Sequence, residues 1–136
     1  MDSSEIQHQL EHFFAEAPEE VVAAYVFGSQ ARGHADAQSD VDVAVLFRET
    51  PERSLDARRF RLEGELEKRL HRPVDLVVLN DASPDLCHRV FRDGVLVLDR
   101  EPALRIRFEV KRRSEYLDFL PVLRRYRRYP KGRVTR

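Results

Sequence analysis

The chain has 136 residues, the size of one domain, and its 42% hydrophobic and 35% charged residues are enough for a core and unlike a disordered composition. No apolar run nears the roughly 18 residues that span a bilayer, so a membrane-spanning protein is excluded, and the single cysteine, Cys87, excludes an internal disulfide and a cysteine-built zinc site. The zero net charge, 24 basic against 24 acidic residues, hides a split: residues 1–99 carry 11 basic and 20 acidic residues, a balance of −9, and residues 100–136 carry 13 and 4, a balance of +9. Met1 to Gln9 has no basic, apolar leader pattern, so no signal peptide and a cytoplasmic location are expected.

In chain order, Ile6, Leu10, Phe13, Phe14 and Ala17 recur at helical spacing and predict a helix over 3–16, capped by Ser3 or Ser4 and stopped by Pro18. Val21 to Phe27 is a short apolar run rich in β-branched and aromatic residues, the pattern of a buried strand, and Gly28 punctuates its end. Val41 to Phe47 is a second strand. Ser54 is placed to cap a helix over 55–71 with Leu55, Leu62, Leu66 and Leu70 on one face, and Val74 to Leu79 is a third strand. Ser83-Pro84 reads as an N-cap and first helical residue. That helix runs to Asp93, with Gly94 as a C′ residue, before a short strand over Val95–Leu98. A last helix is expected over 102–120, kinked or restarted at Pro121, with a fraying tail from Tyr129. Helices alternating with buried strands make the class α/β.

The chemistry is concentrated at two strand ends. Asp40 and Asp42 open an otherwise apolar strand. Strand side chains alternate, so both carboxylates face one way, with their backbones about 6.5–7 Å apart. Like charges there are costly unless a cation compensates them. Asp75 repeats the oddity in Val74–Leu79, and if that strand lies beside Val41–Phe47 three carboxylates converge, an oxygen-rich set that suits Mg²⁺ or Mn²⁺. Two ions about 3.5–4 Å apart would clamp a phosphoryl centre. The alternative is that the aspartates cap turns. Gly28-Ser29 ends the preceding strand, where a glycine lets an anion approach the backbone and a helix start offers free N–H groups. The Ser29 hydroxyl suits a phosphate oxygen, and Arg32 stands one turn on. An ordinary strand-to-helix turn reads the same way. No Gly-Lys-Ser/Thr follows, so this is not a P-loop.

Taken together, Gly28-Ser29, ten intervening residues and Asp40-Val41-Asp42 resemble the signature of the nucleotidyltransferase superfamily that includes DNA polymerase beta. The short chain, the Gly28–Gly33 hexapeptide and the later Asp75 strand are similar to its minimal (MNT) subgroup, stand-alone domains paired with helical HEPN toxins. The resemblance covers about residues 20–100. It implies a polymerase-beta-like fold, a mixed β-sheet flanked by helices, with a nucleotidyltransferase core over 1–100 and a C-terminal helix and basic tail, 101–136, packing on it as one domain. It implies Mg²⁺-dependent transfer of AMP from ATP to a hydroxyl, a tyrosine of the cognate toxin, and so an antitoxin that acts by AMPylation within a toxin complex. Carried over, Gly28 and Ser29 hold the triphosphate with Arg32 as a further contact, while Asp40, Asp42 and Asp75 ligate two metal ions and Asp75 sits near the acceptor.

Two other classes stay in view: a binding module that neutralises a partner stoichiometrically, motivated by the charge split, and a nucleotidyltransferase acting on RNA or a small molecule. The Arg-rich tail from Arg124, interleaved with Tyr126 and Tyr129, suits either RNA or docking on an acidic surface. His8 and His12 read as a solvated helix face, His34 as a loop residue between the motifs, His71 and His88 as helix-end and surface residues, Cys87 as core filler, and Arg58, Arg59 and Arg61 as a solvated face.

Overall fold

A computed structural model describes residues 2–28, 40–49 and 55–128. Helix α1 (Ser3–Ala15) is capped by Asp2, whose Oδ1 accepts from the Glu5 N–H at 2.9 Å, so the cap precedes both expected residues, Ser3 and Ser4. Strands β1 (Val21–Phe27) and β2 (Val41–Phe47) follow. Helix α2 covers Leu55–Leu70, and His71 ends it in the left-handed region, at φ 56°. The expected cap Ser54 lies outside the described residues. Strand β3 (Val74–Val78) is one residue shorter than predicted because Leu79 opens a 3₁₀ turn, Leu79–Asp81. Helix α3 (Pro84–Asp93) starts as read: the Ser83 hydroxyl accepts from the Leu86 N–H, with Pro84 at the first helical position. Gly94 follows with φ −80° rather than in the left-handed cap. A glycine is needed there for space, since a Cβ would run into the Val90 carbonyl. Strand β4 is Val95–Asp99. Helix α4 runs from Pro102 to Arg128 without a restart at Pro121, whose missing N–H costs one internal bond in a helix long enough to carry on either side.

The sheet has the order β3-β2-β1-β4; β2 pairs antiparallel with β1 and parallel with β3, and β1 pairs antiparallel with β4. It is the mixed sheet flanked by helices that the resemblance implied. One face of β2, Val41, Val43, Val45 and Phe47, packs with Ile6, Leu10 and Phe14 of α1 and Leu62, Leu66 and Leu70 of α2. The other, Ala44 and Leu46, packs with Cys87 and Val90 of α3, and Leu104 and Phe108 of α4 lie against that cluster. Strands buried on both faces explain why β1 and β2 read as unbroken apolar runs. Cys87 is fully buried, as core filler should be. His8 and His12 are exposed, as expected. His88 is more than a surface residue: its ring stacks on Tyr116 of α4 at 4.0 Å.

Candidate active site

Alternation puts Asp42, between Val41 and Val43, on the sheet face of α3 and α4. The parallel register pairs Asp42 with Asp75 and Val41 with Val74. Register partners on adjacent strands project to one face about 4.8 Å apart, so the two acids share the α3 side of the sheet. Asp42 is half-buried, and Asp75 is exposed at the start of edge strand β3. Asp40 is exposed, one residue before β2. Among the described residues no group of three His, Cys, Asp or Glu side chains is arranged to hold a metal ion, so the expected convergence of three carboxylates is not seen; Asp42 and Asp75 stand in register, and Asp40 lies outside the paired strands.

On the other side of Asp42 the antiparallel register sets Phe27 opposite it, and Gly28 turns away from β1 at φ +72°. A Cβ on Gly28 would collide with Asp42 Oδ2 and stand 3.2 Å from its Cγ. The glycine therefore supplies both a left-handed conformation and the space that the carboxylate occupies. Ser29, Arg32 and His34 fall outside the described residues.

Gly28, Asp42 and Asp75 line a cleft of about 600 Å³ between the sheet and α3, with Phe27, Val77 and Leu86 as apolar walls and Arg89, Arg92 and Asp93 along its α3 side. Arg92 is engaged by Asp93 through two N–H···O bonds of 3.0 Å. Arg89 is exposed and forms no ion pair among the described residues. These two arginines were missed in the sequence. Their three-residue spacing on α3 marks a shared helix face, but only the packing of α3 shows that this face looks into the cleft. The site thus offers carboxylate oxygens on one wall, donor chemistry that hard divalent cations take, and guanidinium groups on the other, which suit phosphate oxygens.

A family profile described as polymerase beta, nucleotidyltransferase, matches residues 8–103. The chain belongs to this nucleotidyltransferase family. It is 39% identical over 70 residues, 52% of this chain and 48% of the relative, to a protein adenylyltransferase, MntA, of Shewanella oneidensis. The matched segment therefore spans about half of that relative's length. Among solved structures, a toxin–antitoxin complex with AMP-PNP contains a chain of similar fold, with TM-score 0.70 and 26% identity over 86% of this chain and 94% of that one. A structure described as that of a minimal nucleotidyltransferase aligns with TM-score 0.57 and 33% identity over 70% of this chain and 95% of that one. The nucleotidyltransferase fold that the resemblance implied is thereby established, and the Gly28–Asp42–Asp75 cleft lies within the matched residues.

Proposed function

We propose that the chain is a protein adenylyltransferase, transferring AMP from ATP to a hydroxyl of a partner protein, a tyrosine of a HEPN-type toxin that it neutralises. The observation that carries this reading is the in-register pairing of Asp42 with Asp75 beside the Gly28 turn, facing a cleft with arginines on its far wall. The similarity to MntA and to a toxin–antitoxin chain with an ATP analogue supports the substrate and the partner.

In the proposed reaction the acceptor oxygen attacks the α-phosphorus. The bond from that phosphorus to the bridging oxygen of the β-phosphate breaks, and pyrophosphate leaves with the electron pair. The acceptor hydroxyl loses its proton, and we assign the exposed Asp75 carboxylate to take it. Gly28 leaves the backbone open to the triphosphate, with Ser29 and Arg32 as the proposed contacts after it. Arg89 is the further cation we assign to the phosphates, since Arg92 is already held by Asp93. Asp40, Asp42 and Asp75 would hold Mg²⁺, as two ions or with Mn²⁺ in its place. The metal, when bound, neutralises charge at the α-phosphate and favours an ionised acceptor. The protein's own part is positioning and fixed charge.

Incubation with α-labelled ATP, Mg²⁺ and the co-expressed toxin should place label on the toxin at substoichiometric amounts of the chain. Asp40→Asn with Asp42→Asn should lower transfer about 100-fold or more with the circular dichroism spectrum unchanged. Undiminished transfer by the double variant removes these acids from the chemistry. Neutralisation that needs equimolar chain and proceeds without label would instead identify a stoichiometric binder, and label on RNA would identify a nucleic-acid acceptor.

A further inference from the structure

Asp75 borders two depressions. The larger extends towards β1 and contains Gly28, Asp42 and the arginines of α3. The smaller, of about 250 Å³, wraps round the outer side of β3. It is lined by Leu76, Val77, Val78, Ala82 and Leu86, with Arg59 of α2 and Asp81 of the 3₁₀ turn at its polar margins. Asp75, Val77 and Leu86 belong to both, so the two depressions adjoin at the carboxylate. Resting on the adenylyl-transfer reading above, we infer that the smaller depression is the acceptor subsite, which seats the aromatic ring of the partner's tyrosine with its hydroxyl at Asp75.

Displacement at the α-phosphorus needs the entering oxygen and the leaving pyrophosphate on opposite sides. With the phosphates between Gly28 and Arg89, the side left for the acceptor is the β3 edge, and a cavity is there. Its lining suits a phenol: an apolar floor for the ring and a polar margin for the hydroxyl and flanking backbone. Arg59 and Asp81 form no ion pairs among the described residues, which leaves one cation and one anion to orient an incoming segment. Phe60, the next residue of α2, is 67% exposed, more than any other large apolar side chain among the described residues. A large apolar side chain left exposed on the helix that carries Arg59 suits contact with a protein partner rather than a free small molecule. The edge itself is kept from pairing with another strand: the outward N–H groups of Val74 and Leu76 donate to Glu67 and Glu63 of α2, each at 3.0 Å. The acceptor is therefore read by side chains in the depression, and not by β-sheet addition.

The test uses Arg59→Ala and Asp81→Arg in the full chain, with the toxin that accepts label as substrate and AMP-PNP binding as the second readout. Both residues are exposed, so neither change disturbs the core. The expected result is a KM for the toxin raised about tenfold, kcat little altered, and AMP-PNP affinity unchanged. An unchanged KM in both variants, with wild-type transfer intact, overturns the subsite and leaves the enzyme reading standing. A loss of AMP-PNP affinity would move Arg59 into the nucleotide site and also overturn it. Absence of transfer by the unsubstituted chain defeats the underlying reading itself, and with it the subsite.

Discussion

Gly28 and Asp42 compete for one volume, and the competition explains why a glycine stands between the first strand and the motif. At φ +72° an L-residue is strained by about 1–2 kcal/mol, and its Cβ would displace the Asp42 carboxylate. Gly28→Ala is therefore expected to lower the unfolding temperature by several degrees and to cut label transfer more than the stability loss accounts for. A stable variant with full transfer would show that the carboxylate need not sit there. Cys87 illustrates a residue whose environment silences it. Burial pushes its thiol up to about 11, from an ordinary value of 9.0. The folded state thus keeps the neutral thiol longer than the unfolded chain does, so this contribution to stability is full below pH 9 and fades as pH rises towards 11. At pH 8 a disulfide reagent should react with Cys87 only after denaturation, and immediate reaction with the native protein would contradict its burial. Tyr25 shows the same physics in a network. Burial, then its 2.5 Å hydrogen bond to Glu109, drives its phenol well above the usual range, while Arg105 ties Glu109 to Asp99.

At the scale of elements, the termini are fastened by side chains far away in sequence. The Arg100 guanidinium donates to the carbonyls of Phe14, Ala15, Ala17, Pro18 and Val21, gathering five acceptors where α1 ends and the chain turns into β1. Arg100→Ala is expected to destabilise by about 2 kcal/mol, read from urea unfolding. Arg100→Lys should recover little, because one ammonium cannot span five carbonyls; full recovery by lysine would show that charge alone matters. Asn80 plays a similar part after β3, its amide donating to the Phe47 carbonyl and accepting from the Phe47 N–H, each at 3.0 Å. It continues the sheet's hydrogen bonding where the strand has given way to the 3₁₀ turn. Arg112 of α4 reaches the Asn80 carbonyl at 2.7 Å and Glu115 at 2.6 Å, which docks the last helix on this same turn. The outer face of α4 keeps Ile106, Val110, Leu117 and Val122 exposed beside Arg107, Arg113 and Arg124.

For the molecule as a whole, the carboxylates lie at the rim of a sheet whose two apolar faces are filled without them. The proposed chemistry is therefore expected to be separable from folding. Chelation of divalent ions is expected to stop transfer while the unfolding temperature moves by only about 2 °C or less. A large drop would mean that the metal is structural. The opposition of charges between body and tail proves less orderly than it looked. Arg105 does pair with Asp99 of the body, but Arg48 of the body pairs with Glu101, and Arg112 turns to Glu115 of its own helix. No helix among the described residues is long and apolar enough to cross a membrane.

The division between what the sequence determined by itself and what needed the fold follows from range. Helix faces, the buried runs of β1 and β2, the Ser83-Pro84 start and the Gly28 and Asp-x-Asp landmarks were legible, because each rests on periodicity or on a local backbone demand. The errors were also local: Asp2 displaced Ser3 as a cap, Gly94 serves space instead of handedness, and α4 passes through Pro121. Strand order, the parallel register that sets Asp75 beside Asp42, and the turn of α3 that brings Arg89 and Arg92 to the cleft depend on contacts between segments far apart in the chain. No local pattern encodes such pairings, since the free energy that selects them comes from burying both faces of the sheet at once.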